Sequence, residues 1–348
     1  LGDRDPGMNH KNKPISSEQK WIPDGFHFLG PEESKNRRNL LQSFSELFEK
    51  EGYSEITLPS FDYSNSFRSQ LQDGLESLLV AKDWDGNELS PGVDLTLQVV
   101  KGMAARSHWE ENQNVYYFAK KIRDHKKRNA SRREVLQVGV ESLGNSDTNH
   151  LISQIKILKK LWDNTLPNKT FTLVFGHSSF FRTILEILGW NEEQTNVLRQ
   201  FLYTKNLPEL VSLAARENTS ETHMQIIQLL LKPILSSEMG VFKKTLETVL
   251  SKDELLNVKH DLESITSFFE VWNKEMKGIF CIFDPALVRD LSYYTGFMFQ
   301  GYVEQDPEPV FAGGVYNDLY ASFTGIQKDA CGFALHLDAI EVMLNKEK

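Results

Sequence analysis

The chain has 348 residues, enough for two or three domains and a substantial core. Charged residues make up 25% and hydrophobic residues 40%, ordinary for a soluble globular protein, and a formal net charge of −9 argues against a protein whose main role is coating nucleic acid. No apolar run approaches the length of a membrane span, and the polar start LGDRDPGMNHKNK has no hydrophobic stretch of the kind a signal peptide carries.

Residues before Met8 read as a remnant of expression, and residues 1–20 as a disordered tail. Residues 21–30 form an entry segment punctuated by proline and glycine. After Pro31 a long helix is predicted, with Leu40, Leu41, Phe44, Leu47 and Phe48 at helical spacing and Gly52 as its stop. Residues 53–58 alternate as a strand that ends at Pro59. Leu75, Leu78, Leu79 and Val80 suggest a further strand or short helix before an Asp85-Gly86 turn, and from Val93 the chain passes from strand-like to helical.

Residues 115–144 read as a half-buried hairpin. In its second strand Leu136, Val138 and Val140 fall on one face and Gln137, Gly139 and Glu141 on the other. An amide, a glycine that leaves room and a carboxylate suit the floor of a site for a small polar ligand; an ordinary solvated sheet face is the alternative. Lys120, Lys121, Arg123, Lys126, Lys127, Arg128, Arg132 and Arg133 make the hairpin basic, offset by Asp124. Such a patch suits phosphate, carboxylate or an acidic partner surface, or is simply a solvated loop.

A helix over 149–166 and an apolar strand over 170–176 follow. Residues 179–269 are helical throughout, an insertion whose apolar positions are expected to form its own core, set into a β-rich core of 21–178 and 270–348. Beyond Gly278 come the strand IFCIFD, a longer strand LVRDLSYYTGFMFQGYV, a turn at Asp306-Pro307, a strand over 310–314, a helix over 316–323, a strand over 331–335 and a closing helix over 337–345. Cys281 and Cys331 sit in apolar strand-like segments, as buried thiols of a reducing, cytoplasmic compartment would.

Four places carry polar residues that a buried strand does not need. Asp94 and Thr96 share one face if they lie on a strand and can then receive an ammonium group, unless they cap a helix. Arg123 accompanies Gln137 and Glu141. Arg289 can fork a carboxylate beside the Tyr293–Tyr294 pair, with core packing as the alternative. Gly313-Gly314 permits close backbone approach or merely turns a strand into a helix. No phosphate loop, dinucleotide fingerprint, zinc-protease helix or nucleophile elbow is present. Together the four suggest a sheet floor that binds a zwitterion.

In this order the segments resemble the histidyl-tRNA synthetases, whose class II fold is α+β, an antiparallel sheet flanked by helices. The resemblance covers residues 23–344 outside the helical insertion. GYSEITLPSFDY looks like the dimer-forming first motif, with Pro59 as its proline, and IRDHKKRNASRREVLQVGVESLG matches the second without gaps. LVRDLSYYTGFMF resembles the histidine-reading segment, FAGGVYNDL its glycine-pair partner, and ACGFALHLDAIEVML stands in the place of the third motif. The resemblance implies histidine contacts at Asp94, Thr96, Arg123, Gln137, Glu141, Arg289, Tyr293 and Tyr294, with the carboxylates serving ammonium or imidazole and Arg289 or Arg123 the carboxylate.

The departures fall elsewhere. His125 replaces a glutamate that helps hold the adenylate, Val315 an arginine beside the glycine pair, and His336 a glycine. Ala339 replaces the arginine that grips the ATP phosphates, and an anticodon-binding domain is not expected. A synthetase-like core of this kind resembles the regulatory subunits of ATP phosphoribosyltransferase. That resemblance implies no chemistry and no cofactor of its own. It implies a self-dimer through the synthetase-like core, and a short-form catalytic partner in a hetero-octamer of four plus four chains. Histidine would be the allosteric effector in feedback on the first step of histidine biosynthesis. tRNA binding is not expected. The alternatives are a synthetase paralogue that still activates an amino acid and a tRNA-binding synthetase-like module.

Overall fold

A computed structural model describes residues 22–68, 78–106, 112–123, 132–217, 219–287, 293–304 and 306–346. The expected tail, the tip of the basic hairpin with His125, and Arg289 lie outside them. The chain opens with α1 (Pro31–Lys50), β1 (Ser54–Glu55), β2 (Phe61–Tyr63), α2 (Ser64–Arg68), β3 (Ala81–Lys82), β4 (Glu88–Pro91) and α3 (Leu95–Ala104). The hairpin β5 (Gln113–Ile122) and β6 (Glu134–Leu143) leads to α4 (Thr148–Thr165) and β7 (Thr172–His177). The helical segment holds α5 (Ser178–Leu188), α6 (Glu192–Tyr203), α7 (Leu207–Arg216), α8 (Glu221–Leu230), β8 (Ile234–Leu235), α9 (Met239–Val249) and α10 (Lys252–Glu275). Last come β9 (Cys281–Phe283), β10 (Phe297–Tyr302), β11 (Phe311–Val315), α11 (Asn317–Thr324), β12 (Ala330–His336) and α12 (Leu337–Lys346).

Local chemistry sets the helix starts. Pro31 opens α1 where no intrahelical N–H is needed, and the Glu33 carboxylate accepts the Gly30 N–H at 2.6 Å. Asp147 caps α4 by accepting the His150 N–H at 2.8 Å, and Ser251 with Glu254 caps α10 reciprocally.

Nine strands form one sheet in the order β1-β5-β6-β12-β11-β10-β7-β9-β8, and β2-β4-β3 form a second. The large sheet is mixed rather than purely antiparallel, because β1 runs parallel to β5 and β7 parallel to β9. Its two faces differ. Val138 and Val140 on β6, Phe333 and Leu335 on β12, Phe311 on β11 and Phe175 on β7 point one way and are buried beneath helices. The register puts Tyr117, Gly139, Glu141, Gly332, Ala312 and Gly314 on the other face. There α3 and α11 cover one end with a smaller second core that includes Leu97, Val100, Leu319 and Tyr320.

Three expectations change. The strand after α1 is only Ser54–Glu55, because β5 gives it partners at two positions before Pro59 leads the chain into the small sheet. Among the described residues the long strand expected through the tyrosine pair is limited to Phe297–Tyr302 and leaves out 293–296, while 288–292 lie outside the described residues. Successive strand side chains point to opposite faces, whereas Tyr293 and Tyr294 are both buried in the same cluster, so their backbone leaves strand geometry. The helical segment does not close a core of its own. Phe268 of α10 packs on Phe175 at 4.4 Å between ring centroids, Phe180 of α5 on Phe283 at 5.9 Å, and β8 adds a strand to the sheet edge. An open sheet face needs a covering layer, and these helices supply it. Cys281 and Cys331 are buried free thiols. Among the described residues no helix is long and apolar enough to cross a membrane.

Candidate functional site

The polar cluster lies where α3, β5, β6 and the segment before β10 meet. Asp94 does not share a strand face with Thr96. It caps α3, accepting the Leu97 N–H at 2.9 Å with one carboxylate oxygen and the Tyr293 hydroxyl at 3.0 Å with the other. Capping holds its carboxylate at the positive end of the helix, so a buried charge there is matched by backbone dipoles. Thr96, in the first turn of α3, donates its hydroxyl to Glu141 Oε1 at 2.7 Å. Tyr316, just past the glycine pair, donates to Glu141 Oε2 in a short hydrogen bond. Tyr293 lies tilted against Tyr294 at 5.1 Å and meets Tyr316 edge-on at 6.0 Å between ring centroids.

Glu141 is 1% exposed. Its removal from water raises the carboxyl from an ordinary 4.5 to about 8, against the lowering effect of the two hydroxyl donors and with a further push from Asp94. It is therefore predominantly a neutral acid at pH 7. Burial likewise pushes the Tyr117 and Tyr316 phenols well above their usual range, so both remain hydroxyls.

Asp94, Thr96, Glu141, Tyr293 and Tyr294 thus converge. Arg123 braces this group from behind, its Nε donating to the Val93 carbonyl at 3.1 Å next to the cap. Gln137 is buried on the same sheet face, opposite Ala119 and His336, and stands about 13 Å along the strand from Glu141. Arg289 lies outside the described residues. The space over Gly139 is not left open: a Cβ there would stand 2.4 Å from the Tyr117 hydroxyl, so the glycine admits a tyrosine of the neighbouring strand. At Gly314 a Cβ would come within 2.7 Å of the Tyr294 ring, which is the close approach that the glycine pair permits.

Tyr117 and Tyr316 escaped the sequence reading. Both carry a usable signal: Tyr117 faces Gly139 across the hairpin, and Tyr316 follows a glycine pair. The substituted positions also have places. Val315 ends β11 buried in the main core, Ala339 lies on α12 against the same core, and His336 is half-buried at the end of β12. Among the described residues no group of three or more His, Cys, Asp or Glu side chains is arranged to hold a metal ion. The arrangement offers carboxyl acceptors capped by hydroxyls that a ligand's N–H groups can displace.

Comparison with known proteins gives three findings. The family model described as histidyl-tRNA synthetase matches residues 25–340. A protein of Leptospira interrogans named ATP phosphoribosyltransferase regulatory subunit is 38% identical over 337 residues, covering 96% of this chain and 97% of that protein. One of the same name from Caldanaerobacter subterraneus is 26% identical, covering 94% and 83%. Among solved structures, an ATP phosphoribosyltransferase regulatory subunit/histidyl-tRNA synthetase from Bacillus halodurans superposes with a TM-score of 0.78 at 22% identity, covering 94% of this chain and 83% of that one. A histidine–tRNA ligase subunit from Alicyclobacillus acidocaldarius reaches 0.81 at 19%, covering 96% and 100%. At those identities the superpositions show the class II synthetase fold and nothing further.

Proposed function

We propose, from the premise that the chain belongs to the histidyl-tRNA synthetase family and within it to the ATP phosphoribosyltransferase regulatory subunits, that it binds histidine and performs no chemistry itself. One contrast carries this reading. At the amino-acid end of the site Tyr293 donates to Asp94, and Thr96 and Tyr316 donate to Glu141, whereas the positions of the two resembling arginines hold Val315, buried in the core, and Ala339, packed against it. Removing a preorganised cationic donor to a reacting phosphate typically costs about 3–4 kcal/mol of transition-state stabilisation. A site that keeps its ligand acceptors and lacks those cations suits a sensor.

In this reading a short-form ATP phosphoribosyltransferase depends on the chain for activity in a cytoplasmic hetero-octamer of four regulatory and four catalytic chains. Histidine binds one state of that assembly better and shifts it toward the less active form. The regulatory chains pair through the edge near Pro59. There exposed Phe61 helps line a largely apolar cavity of about 510 Å³ with Leu58, Pro59, Val80 and Phe118, and Tyr63 on the same short strand is exposed as well. Residues 179–269 remain the insertion and the flanking segments the synthetase-like core, although the two share one set of buried side chains.

Co-purification with the catalytic chain tests the proposal. The mixture is expected to form phosphoribosyl-ATP, to lose activity on addition of histidine, and to show the mass of the octamer. A catalytic chain fully active alone and unchanged on mixing, or histidine-dependent ATP–pyrophosphate exchange by this chain alone, would sink it. Glu141→Ala and Arg289→Ala are each expected to weaken histidine binding roughly ten- to hundredfold in calorimetry, the loss of a hydrogen bond to a charged group. Unchanged affinity in both would place the inhibitory histidine elsewhere.

A further inference from the structure

Lys205 joins α6 to α7 and is, among the described residues, the one residue other than glycine with a positive φ, 52°. A left-handed backbone strains any residue with a Cβ, and glycine or asparagine is the relaxed choice. The lysine side chain nevertheless has a fixed partner outside the helical segment. Its ammonium donates to both carboxylate oxygens of Asp284, each at 2.9 Å. An outlying backbone that presents a side chain to a defined partner points to a task for that side chain.

Asp284 builds the turn that carries the chain from β9 toward the site. Its own N–H donates to the Phe175 carbonyl of β7 at 2.8 Å, its Oδ1 also accepts the Ala286 N–H at 3.0 Å, and its carbonyl accepts the Leu287 N–H at 3.0 Å. Leu287 lies against Gly176 and packs on the cluster that contains Tyr293 and Tyr294. The Asp284 carboxylate is 13% exposed and the lysine 40%, so the pair is shielded more than an ordinary surface ion pair.

We infer that Lys205 is a positioning residue, which through Asp284 couples the helical segment to the Tyr293–Tyr294 wall of the ligand site. A displacement of the α6–α7 corner is then felt as a change in ligand affinity, and ligand binding in turn biases that corner. The affinity part rests on the histidine reading proposed above; the positional part does not.

The test uses the full chain with Lys205→Gly, Lys205→Arg, Asp284→Asn and the Lys205→Gly/Asp284→Asn double variant. Two readouts are followed: hydrogen exchange at the amides of Ala286, Leu287 and residues 293–295, and histidine affinity by calorimetry. Lys205→Gly relieves the strained backbone, so its unfolding midpoint is expected to hold or rise. Exchange at those amides is expected to accelerate about three- to tenfold and histidine binding to weaken by a similar factor. Lys205→Arg should keep the wild-type values, and the double variant should be no worse than Asp284→Asn alone. Unaltered exchange at those amides in Lys205→Gly overturns the coupling. If the wild type shows no heat with histidine while exchange still responds, the histidine reading fails and the coupling stands.

Discussion

Replacing Asp338 with alanine is expected to lower folding stability by roughly 2–4 kcal/mol at neutral pH, more than any single surface ion pair would. The reason is the number of groups that share this carboxylate. Its Oδ1 accepts from Arg37 at 2.9 Å and from Arg132 at 3.1 Å, and its Oδ2 accepts the Leu136 N–H of β6 at 2.7 Å. Asp338 therefore ties three elements together: α12, whose first turn it occupies, α1, and the base of the hairpin. Alanine leaves a β6 amide beyond the end of β12 without its acceptor and two guanidiniums without a shared anion. Glu341 still holds Arg37 through its Nε at 2.7 Å, which limits the loss. Asp338→Asn keeps an acceptor for Leu136 but removes the charge, so about half the effect should remain. Chemical unfolding of the three proteins separates these cases; a loss under about 1 kcal/mol for alanine would show that the network is solvated and dispensable.

The same helix shows how much of this molecule was legible beforehand. A closing helix is plain from Leu337, Ile340 and Leu344, and Ala339 is visibly a small residue where a phosphate grip belongs in the resembling family. That Asp338 fastens the helix to Arg37 is not legible, since the two positions lie 301 apart in the chain. The site divides in the same way. The alternation of Gln137, Gly139 and Glu141 predicts the sheet floor, because side-chain alternation is local. Tyr117 filling the space at Gly139 depends on strand register, and the Thr96 and Tyr316 hydroxyls reaching Glu141 depend on the packing of α3 and the end of β11. Asp94 and Thr96 read either as strand neighbours or as a helix cap, because a short apolar run fits either period; the cap on Leu97 decides for the helix. The helices of 179–269 are evident from their spacing, but amphipathic spacing says only that each helix has a buried face. It does not say that the face of α10 rests on Phe175 and Phe297.

Glu141→Gln is expected to flatten the pH dependence of stability. With the folded carboxyl at about 8 and its ordinary value at 4.5, the native state keeps a proton between those values that the unfolded chain has released. Stability from this group is therefore full below about 4.5, falls as pH rises toward about 8 and levels off above, an overall loss on the order of 5 kcal/mol. Glutamine preserves the shape and an acceptor for Thr96 or Tyr316 without the titration. Unfolding of both proteins at pH 5, 7 and 9 should find them close at pH 5 and the variant ahead by a few kcal/mol at pH 9. Every other titrating group cancels in that difference, and parallel curves would mean that Glu141 is ionised in the folded protein. The proton also bears on the ligand. A cationic ammonium or imidazolium arriving beside a neutral acid draws its proton out, so histidine binding should release a proton near pH 7 and tighten as pH rises toward 8. Calorimetry in buffers of different ionisation enthalpy reads that release directly, and it should vanish in Glu141→Gln. Binding heats that do not depend on the buffer would place the ligand's cation away from Glu141, leaving Asp94 at the helix start as the acceptor.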